Sequence, residues 1–339
     1  MEDGIPKITY LFGAGASAQK LPTIKQLPER IKHIKEFVQN NYNFDETEEF
    51  SVKTLKVNKN EAKKFVLDGL DKLFDASSNH STVDTYAKKL FLNGRRQETN
   101  ELAFFLAFYF NIEQKLAGTD PRYNTFLISI LDYSAQSFPN NLKFLSWNYD
   151  LQLEMAYSDL LDRRITELDF GYFNTSDRYW EKSKFTSVKI NGSCTCKGRF
   201  DDAFPLVNNI RDRKPEIGDI DFSLQYGLLH IKNRQRVYDT NVNIDFAWYK
   251  ESNFIANISE IYDETQVLVV IGYSFPFFNR EVDRKIIRAM YGLRKIYIQD
   301  LYPDNIISRF LSILPDYKKR NIEIIPINSV DEFFLPPEL

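Results

Sequence analysis

The sequence predicts an α/β fold, an open and mostly parallel sheet wound in both directions, and three observations predict it. Ile8-Thr9-Tyr10-Leu11-Phe12 is a short apolar, β-branched and aromatic run that ends in Gly13-Ala14-Gly15-Ala16-Ser17-Ala18, a buried strand delivered into a tight turn. With that first unit included, strand, polar turn and helix recur four times along the chain, the pattern of parallel strands joined by helical crossovers and covered on both faces. Between the first unit and the next, residues 40–140 repeat apolar positions at helical rather than strand period. The expected architecture is a Rossmann-like, doubly wound sheet built from residues 1–39 and 141–339, with a helical module inserted over 40–140.

The elements follow in order. The glycine turn leads into Leu21-Pro22-Thr23 and an apolar face at Ile24, Leu27, Ile31, Ile34, Phe37 and Val38. Thr23 and Gln26 have capping-box spacing, but Pro28 would then fall inside the helix, so the regular helix is expected to begin at Pro28, where a missing N–H costs nothing. Helices are expected over 61–74, over the run Val83, Tyr86, Ala87, Leu90 and Phe91 with Ser81 and Asp84 at capping-box spacing, and over 100–117 and 122–137. Strands follow at Leu142–Trp147 and Thr186–Ile190, with a helix carrying Leu153, Ala156, Tyr157, Leu160 and Leu161 between them. Residues 197–250 show no regular pattern. Val267–Ile271, Lys295–Gln299 and 321–327 are strands, separated by helices around 279–293 and 304–314.

Composition narrows the function classes. Hydrophobic residues make up 43% and charged residues 27% of 339, an ordinary globular composition. Forty-four Lys and Arg against 47 Asp and Glu give a net charge of -3, which imposes no basic face for nucleic acid. Cys194 and Cys196 are the two cysteines; as a C-x-C pair they suit neither an unstrained disulfide nor a four-cysteine zinc site, and no metal is expected. No apolar run reaches the roughly 20 residues that span a bilayer, and the N-terminus lacks a signal segment, so the expected location is the cytoplasm.

In a doubly wound sheet the ligand lies beyond the carboxyl ends of the strands. Small or polar groups stand at these ends: Gly13–Ser17, Asn148 and Asp150, Asn191-Gly192-Ser193, Gly272-Tyr273-Ser274, and Asp300. Gly13, Gly15 and Ala18 fit the G-x-G-x-x-A form of the dinucleotide fingerprint, in which phosphates sit on backbone N–H groups of the turn. A dehydrogenase would next show a second strand with an acid about 20 residues on. Glu36 has that spacing but falls on a helix, which weighs against hydride transfer.

With Gly13-Ala14-Gly15-Ala16-Ser17, Asn148-x-Asp150, Gly192-Ser193 and Gly272-Tyr273-Ser274 in this order, the sequence resembles the sirtuin superfamily. Leu21-Pro22-Thr23 after the glycine turn looks more like the bacterial defence-associated branch than the protein deacylases. The resemblance implies an NAD+ site that attacks the nicotinamide–ribose bond. Gly13, Ala14, Gly15 and Ser17 would hold the diphosphate, Asn148 and Asp150 would orient the nicotinamide ribose and the attacking water, and Gly272, Ser274 and Asp300 would line the adenosine half. Gly192 and Ser193 complete the cofactor-binding motif. The family places a His before its Gly-Ser; here Asn191 stands in that place, and an amide cannot take a proton near neutrality.

The expected activity is therefore NAD+ glycohydrolysis to nicotinamide and ADP-ribose rather than deacylation. The resemblance further implies an anti-phage effector that depletes NAD+, working as a homo-oligomer or with a separate sensor or ATPase subunit. The alternative is a non-catalytic module that binds NAD+ or ADP-ribose and regulates a partner. Of the three histidines, His33 is expected to face solvent, His230 to pack in a strand, and His80 to lie at the surface near the crevice.

Overall fold

The computed structural model describes residues 5–52, 55–131, 138–162, 186–196, 242–248 and 252–339. Strand β1 (Ile8–Phe12) passes through a short 3-10 turn (Ala14–Ser17) to α1 (Leu27–Asn41). A hairpin, β2 (Glu49–Val52) and β3 (Leu55–Asn58), precedes α2 (Lys59–Asn79), α3 (Val83–Leu92), α4 (Arg96–Ala117) and α5 (Pro121–Ile130). Then come β4 (Leu142–Ser146), α6 (Gln152–Leu161), β5 (Thr186–Lys189), and the antiparallel pair β6 (Gly192–Cys196) and β7 (Val242–Ile244). The chain continues through α7 (Ser252–Ile261), β8 (Val267–Ile271), α8 (Arg280–Ala289), β9 (Lys295–Gln299), α9 (Pro303–Leu311), α10 (Asp316–Lys319) and β10 (Glu323–Ile327). The irregular 197–241, His230 within it, and 132–137 of the expected fourth module helix lie outside the described residues.

Six strands form one all-parallel sheet in the order β10-β9-β8-β1-β4-β5. β1 and β8 are buried at every position, which is why both read as unbroken apolar runs rather than alternations. β10 stands at one edge and carries Pro326, a residue that cannot donate to a further strand.

Alternate residues feed two cores. Tyr10, Phe12, Phe144, Val267 and Val269 face one side, while Leu11, Leu145, Leu268, Val270, Ile296 and Ile298 face the other with α7, α8 and α9. The first core runs without a break into the helical segment, taking in Leu70, Leu73, Leu106, Phe126 and Leu127. Phe126 of α5 meets the rings of Tyr10 at 4.8 Å and Phe144 at 6.0 Å, both edge-on, so α5 is itself a covering helix of the sheet.

Local chemistry at helix ends departs from the sequence reading in two places. The helix expected from Pro28 starts one residue earlier, and Gln26 Oε1 accepts from Thr23 N–H (3.0 Å) and Thr23 Oγ1 (2.9 Å), so the Thr23–Gln26 pair closes a turn ahead of the helix. Thr82 rather than Ser81 caps α3, with Thr82 Oγ1 accepting from Thr85 N–H at 3.1 Å. The hairpin β2–β3 was not legible either, since the segment as a whole reads at helical period.

Candidate functional site

The strand order reverses at β1: the chain moves to β4 and β5 on one side, then returns to place β8, β9 and β10 on the other. The loops leaving β1 and β8 therefore diverge, and a crevice opens above them. The cavity there encloses about 1040 Å³ of empty space, its open mouth included. Ala14 and Ser17 line it after β1, Asn148, Tyr149 and Asp150 after β4, Asn191 after β5, and Gly272 and Ser274 after β8. The opposite wall belongs to the helical segment, with Thr82, Val83 and Asp84 from the start of α3 and Leu106 and Phe110 from α4.

The glycines of the first turn do something other than expected. Gly13 N–H donates to Ile271 O (3.0 Å), Gly15 N–H to Gly272 O (2.9 Å) and Ala16 N–H back to Gly13 O (2.9 Å). A Cβ on Gly13 would lie 2.6 Å from Gly272 O, and one on Gly15 2.7 Å from Gly272 Cα. Gly272 has φ +61, and its own Cβ would stand 2.4 Å from the Gly15 and Ala16 backbone. These glycines let two protein turns touch backbone to backbone, and the N–H groups of Gly13 and Gly15 are already committed to β8 and its turn. From beneath, Arg122 donates to Gly15 O (3.3 Å) and Ala16 O (3.0 Å) while paired to Asp120 at 2.7 Å. The turn is rigidly held, and what it presents to the cavity is Ala14 and the Ser17 hydroxyl.

Ser17 Oγ donates to Asp150 Oδ2 at 3.0 Å, with Tyr123 Oη 3.2 Å from the same hydroxyl. Asp150 Oδ1 accepts from Gln152 N–H at 3.2 Å, which turns the chain into α6. Burial raises the Asp150 carboxyl above its ordinary range, against the opposing pull of the Lys189 ammonium. Lys189 donates to Asp150 O and pairs with buried Glu154 at 3.1 Å. Asn148 Nδ2 donates to Gly13 O at 2.9 Å, and Asn148 N–H donates to Ser146 Oγ at 3.0 Å. That orientation makes Oδ1 the acceptor Asn148 can offer a ligand. Asn191 has the opposite polarity: its Oδ1 accepts from Ala247 N–H at 3.0 Å, so its amide NH2 is a donor for the cavity.

Three of the expected cofactor-binding residues lie elsewhere. Gly192 has φ +72, and a Cβ there would lie 1.8 Å from Asn243 O, so its role is the close approach of β6 to β7. Ser193 bonds Thr195 across 2.7 Å on the same strand. Asp300 accepts from Tyr302 N–H at 2.9 Å in a turn after β9, away from the cavity lining. The structure thus brings together Ala14, Ser17, Asn148, Asp150, Asn191, Gly272 and Ser274, while Gly13 and Gly15 support the turn from its β8 side.

No protein-family model matches this chain, and no curated protein matches it.

Sequence reasoning missed one pair. Tyr149, between Asn148 and Asp150, donates its hydroxyl to Asp84 Oδ1 of α3. Burial pushes the Asp84 carboxyl up to about 6, although the Tyr149 hydrogen bond pulls the other way. The only signal was the capping-box spacing at Ser81 and Asp84, which pointed to a local role. Beside this pair Trp147 stacks on Tyr273 at 5.6 Å, and the Tyr273 hydroxyl donates to buried Asp283 at 2.9 and 3.0 Å.

The remaining candidates fall away on geometry. Cys194 is buried, accepts from Gln114 Nε2 at 3.4 Å, and has its thiol pushed up to about 12. His80 packs on Tyr86 at 4.6 Å and does not line the cavity, and His33 is exposed. Among the described residues no cluster of three or more His, Cys, Asp or Glu is placed to hold a metal, and no helix is long and apolar enough to cross a membrane.

The donor set can be tested against NAD+. Among the described lining residues are two carboxylates, three amides, of which Asn148 and Asn191 present opposite polarity, and no Lys or Arg. These groups fit a ribose with its hydroxyls and a cationic ring, and the walls of Leu106, Phe110 and Phe278 fit a flat ring. For a diphosphate the described lining offers no cation, and the N–H groups of Gly13 and Gly15 are taken by β8 and its turn.

Proposed function

We propose that the chain is an NAD+ glycohydrolase that releases nicotinamide and ADP-ribose. The observation that carries this reading is the convergence of Asn148, Ser17-bound Asp150 and Asn191 on one cavity above the sheet's reversal point. Asn148 Oδ1 would hold a ribose hydroxyl or the attacking water, and Asn191 NH2 would donate to a second oxygen. Asp150, fixed by Ser17 and by the backbone of Gln152, would stabilise positive charge building on the ribose as the bond to nicotinamide breaks. No acid is needed for the leaving group, because a cationic ring departs neutral. Asn191 offers no base, so deacylation is not part of the proposal. By the same reading the activity serves anti-phage defence in the cytoplasm by depleting NAD+, with a second copy or a sensor or ATPase subunit as partner.

One observation favours a second reading, a non-catalytic binder of NAD+ or ADP-ribose: both Asp150 oxygens and the N–H groups of Gly13 and Gly15 already have protein partners. Purified protein incubated with NAD+, alone and with the products of neighbouring genes, separates the two. Nicotinamide release is expected; saturable binding with no release under any combination would leave the binder.

A further inference from the structure

The proposed hydrolysis consumes water and must dispose of a proton, and neither Asn148 nor Asn191 can accept it. Among the described residues, two carboxylates line the cavity. Asp150 accepts from Ser17 through one oxygen and from Gln152 N–H through the other. Asp84 comes from the far wall, in the first turn of α3. It is not needed as a cap there, since Thr82 performs that task. Its side chain turns instead to Tyr149, the residue between Asn148 and Asp150, which ties the helical segment to the loop that carries the proposed ribose-binding groups.

Resting on the hydrolase reading, we infer that Asp84 is the group that takes the proton from the attacking water. In that step the bond between C1′ of the ribose and the pyridinium nitrogen breaks, and its electron pair goes to the ring, which leaves as neutral nicotinamide. The water oxygen bonds to C1′, its proton passes to the Asp84 carboxylate, and solvent then takes it. The balance is NAD+ plus water giving nicotinamide, ADP-ribose and one proton. Asp84 is suited to this exchange because it lines the cavity beside the Tyr149 loop and burial pushes its carboxyl up to about 6, close enough to neutrality to accept and release a proton. Tyr149 faces it from the turn after β4, and Tyr273, from the turn after β8, feels its charge. Asp245 and Asp283 act on Tyr149 and Tyr273 in turn, Asp150 shares the cavity, and Lys88, further along α3, holds its ammonium 5.3 Å from the Phe278 ring. The helical segment is then part of the reaction centre rather than an ornament on the sheet.

The test uses the full chain, with whatever partner activates it, and two variants. Asp84→Asn should lower nicotinamide release about 100-fold or more, within the usual range for loss of a general base, while ADP-ribose affinity by calorimetry changes only a few-fold. The acid limb of the wild-type pH–rate profile should vanish in Asp84→Asn. Tyr149→Phe removes a hydrogen bond that holds the Asp84 pKa down, so that limb should move to higher pH, an effect a purely structural contact would not produce. Independently of activity, the infrared carboxylate difference between wild type and Asp84→Asn should titrate well above the ordinary aspartate value of about 3.9. If Asp84→Asn fails to fold, the shift in Tyr149→Phe carries the test. Full activity with an unchanged acid limb in Asp84→Asn would overturn this inference and leave the hydrolase reading standing. An Asp84 titration that does not coincide with the acid limb would assign that limb to another group and overturn it, and wild type that never releases nicotinamide would overturn both.

Discussion

At the scale of single residues, burial decides chemistry here. The Asp84 carboxyl is raised to about 6, so between the ordinary aspartate range and that value the folded chain holds a proton that the unfolded chain has released. Stability contributed by this group is present below the unfolded pKa and is lost as pH rises through the folded one. Asp84→Asn should therefore unfold at higher temperature than wild type at neutral pH, with the gap closing as pH falls toward about 4; thermal melts across that range check the sign. The same carboxylate that destabilises the fold is the one assigned the proton transfer. Gly15 gives a second residue-scale expectation. Because its missing Cβ makes room for Gly272, Gly15→Ala should cost about 1–3 kcal/mol in urea denaturation even with no ligand present. A variant as stable as wild type would mean that the two turns do not touch this closely.

At the scale of elements, the helices are held by caps and by close crossings. Thr82→Ala should cost about 1 kcal/mol by loss of the α3 cap, whereas Ser81→Ala should cost almost nothing; paired melts separate the two. The α2–α4 crossing depends on Gly69. In a free helix alanine would be favoured over glycine by about 1 kcal/mol, but a Cβ here would lie 2.0 Å from the ring of buried Phe105. Overpacking wins over propensity, and Gly69→Ala should destabilise by about 1–3 kcal/mol, measured by the urea midpoint. Since α3 and α4 form the cavity's outer wall, such a change should also weaken ADP-ribose binding without touching the strand ends.

At the scale of the molecule, one core passes from the sheet into the helical segment, so the two regions are expected to unfold together. A ligand of the cavity contacts both and should raise the melting temperature of the whole chain with concentration. On the hydrolase reading, Asn148→Ala should separate turnover from that binding. Nicotinamide release should fall on the order of 100-fold while ADP-ribose still shifts the melt, because a contact strengthened only in the transition state is lost.

What the sequence determined by itself was whatever local pattern encodes. Unbroken apolar runs such as Val267–Ile271 announced strands buried on both faces, and the polar groups after them announced where the loops would meet. Asn148, Asp150 and Asn191 were legible because each follows a strand, and strands of a parallel sheet all end on one side. Tertiary structure decided the rest. That Gly13, Gly15 and Gly272 serve each other depends on two turns some 250 residues apart in sequence meeting backbone to backbone, which no spacing records. Gly192 and Asp300 match a motif or end a strand, yet their backbone neighbours claim them for a strand pair and a turn. Asp84 was unreadable as a site residue because its helical period and capping spacing are satisfied locally. Only the docking of α3 against the Tyr149 loop turns that carboxylate into the cavity and removes enough water to lift its pKa.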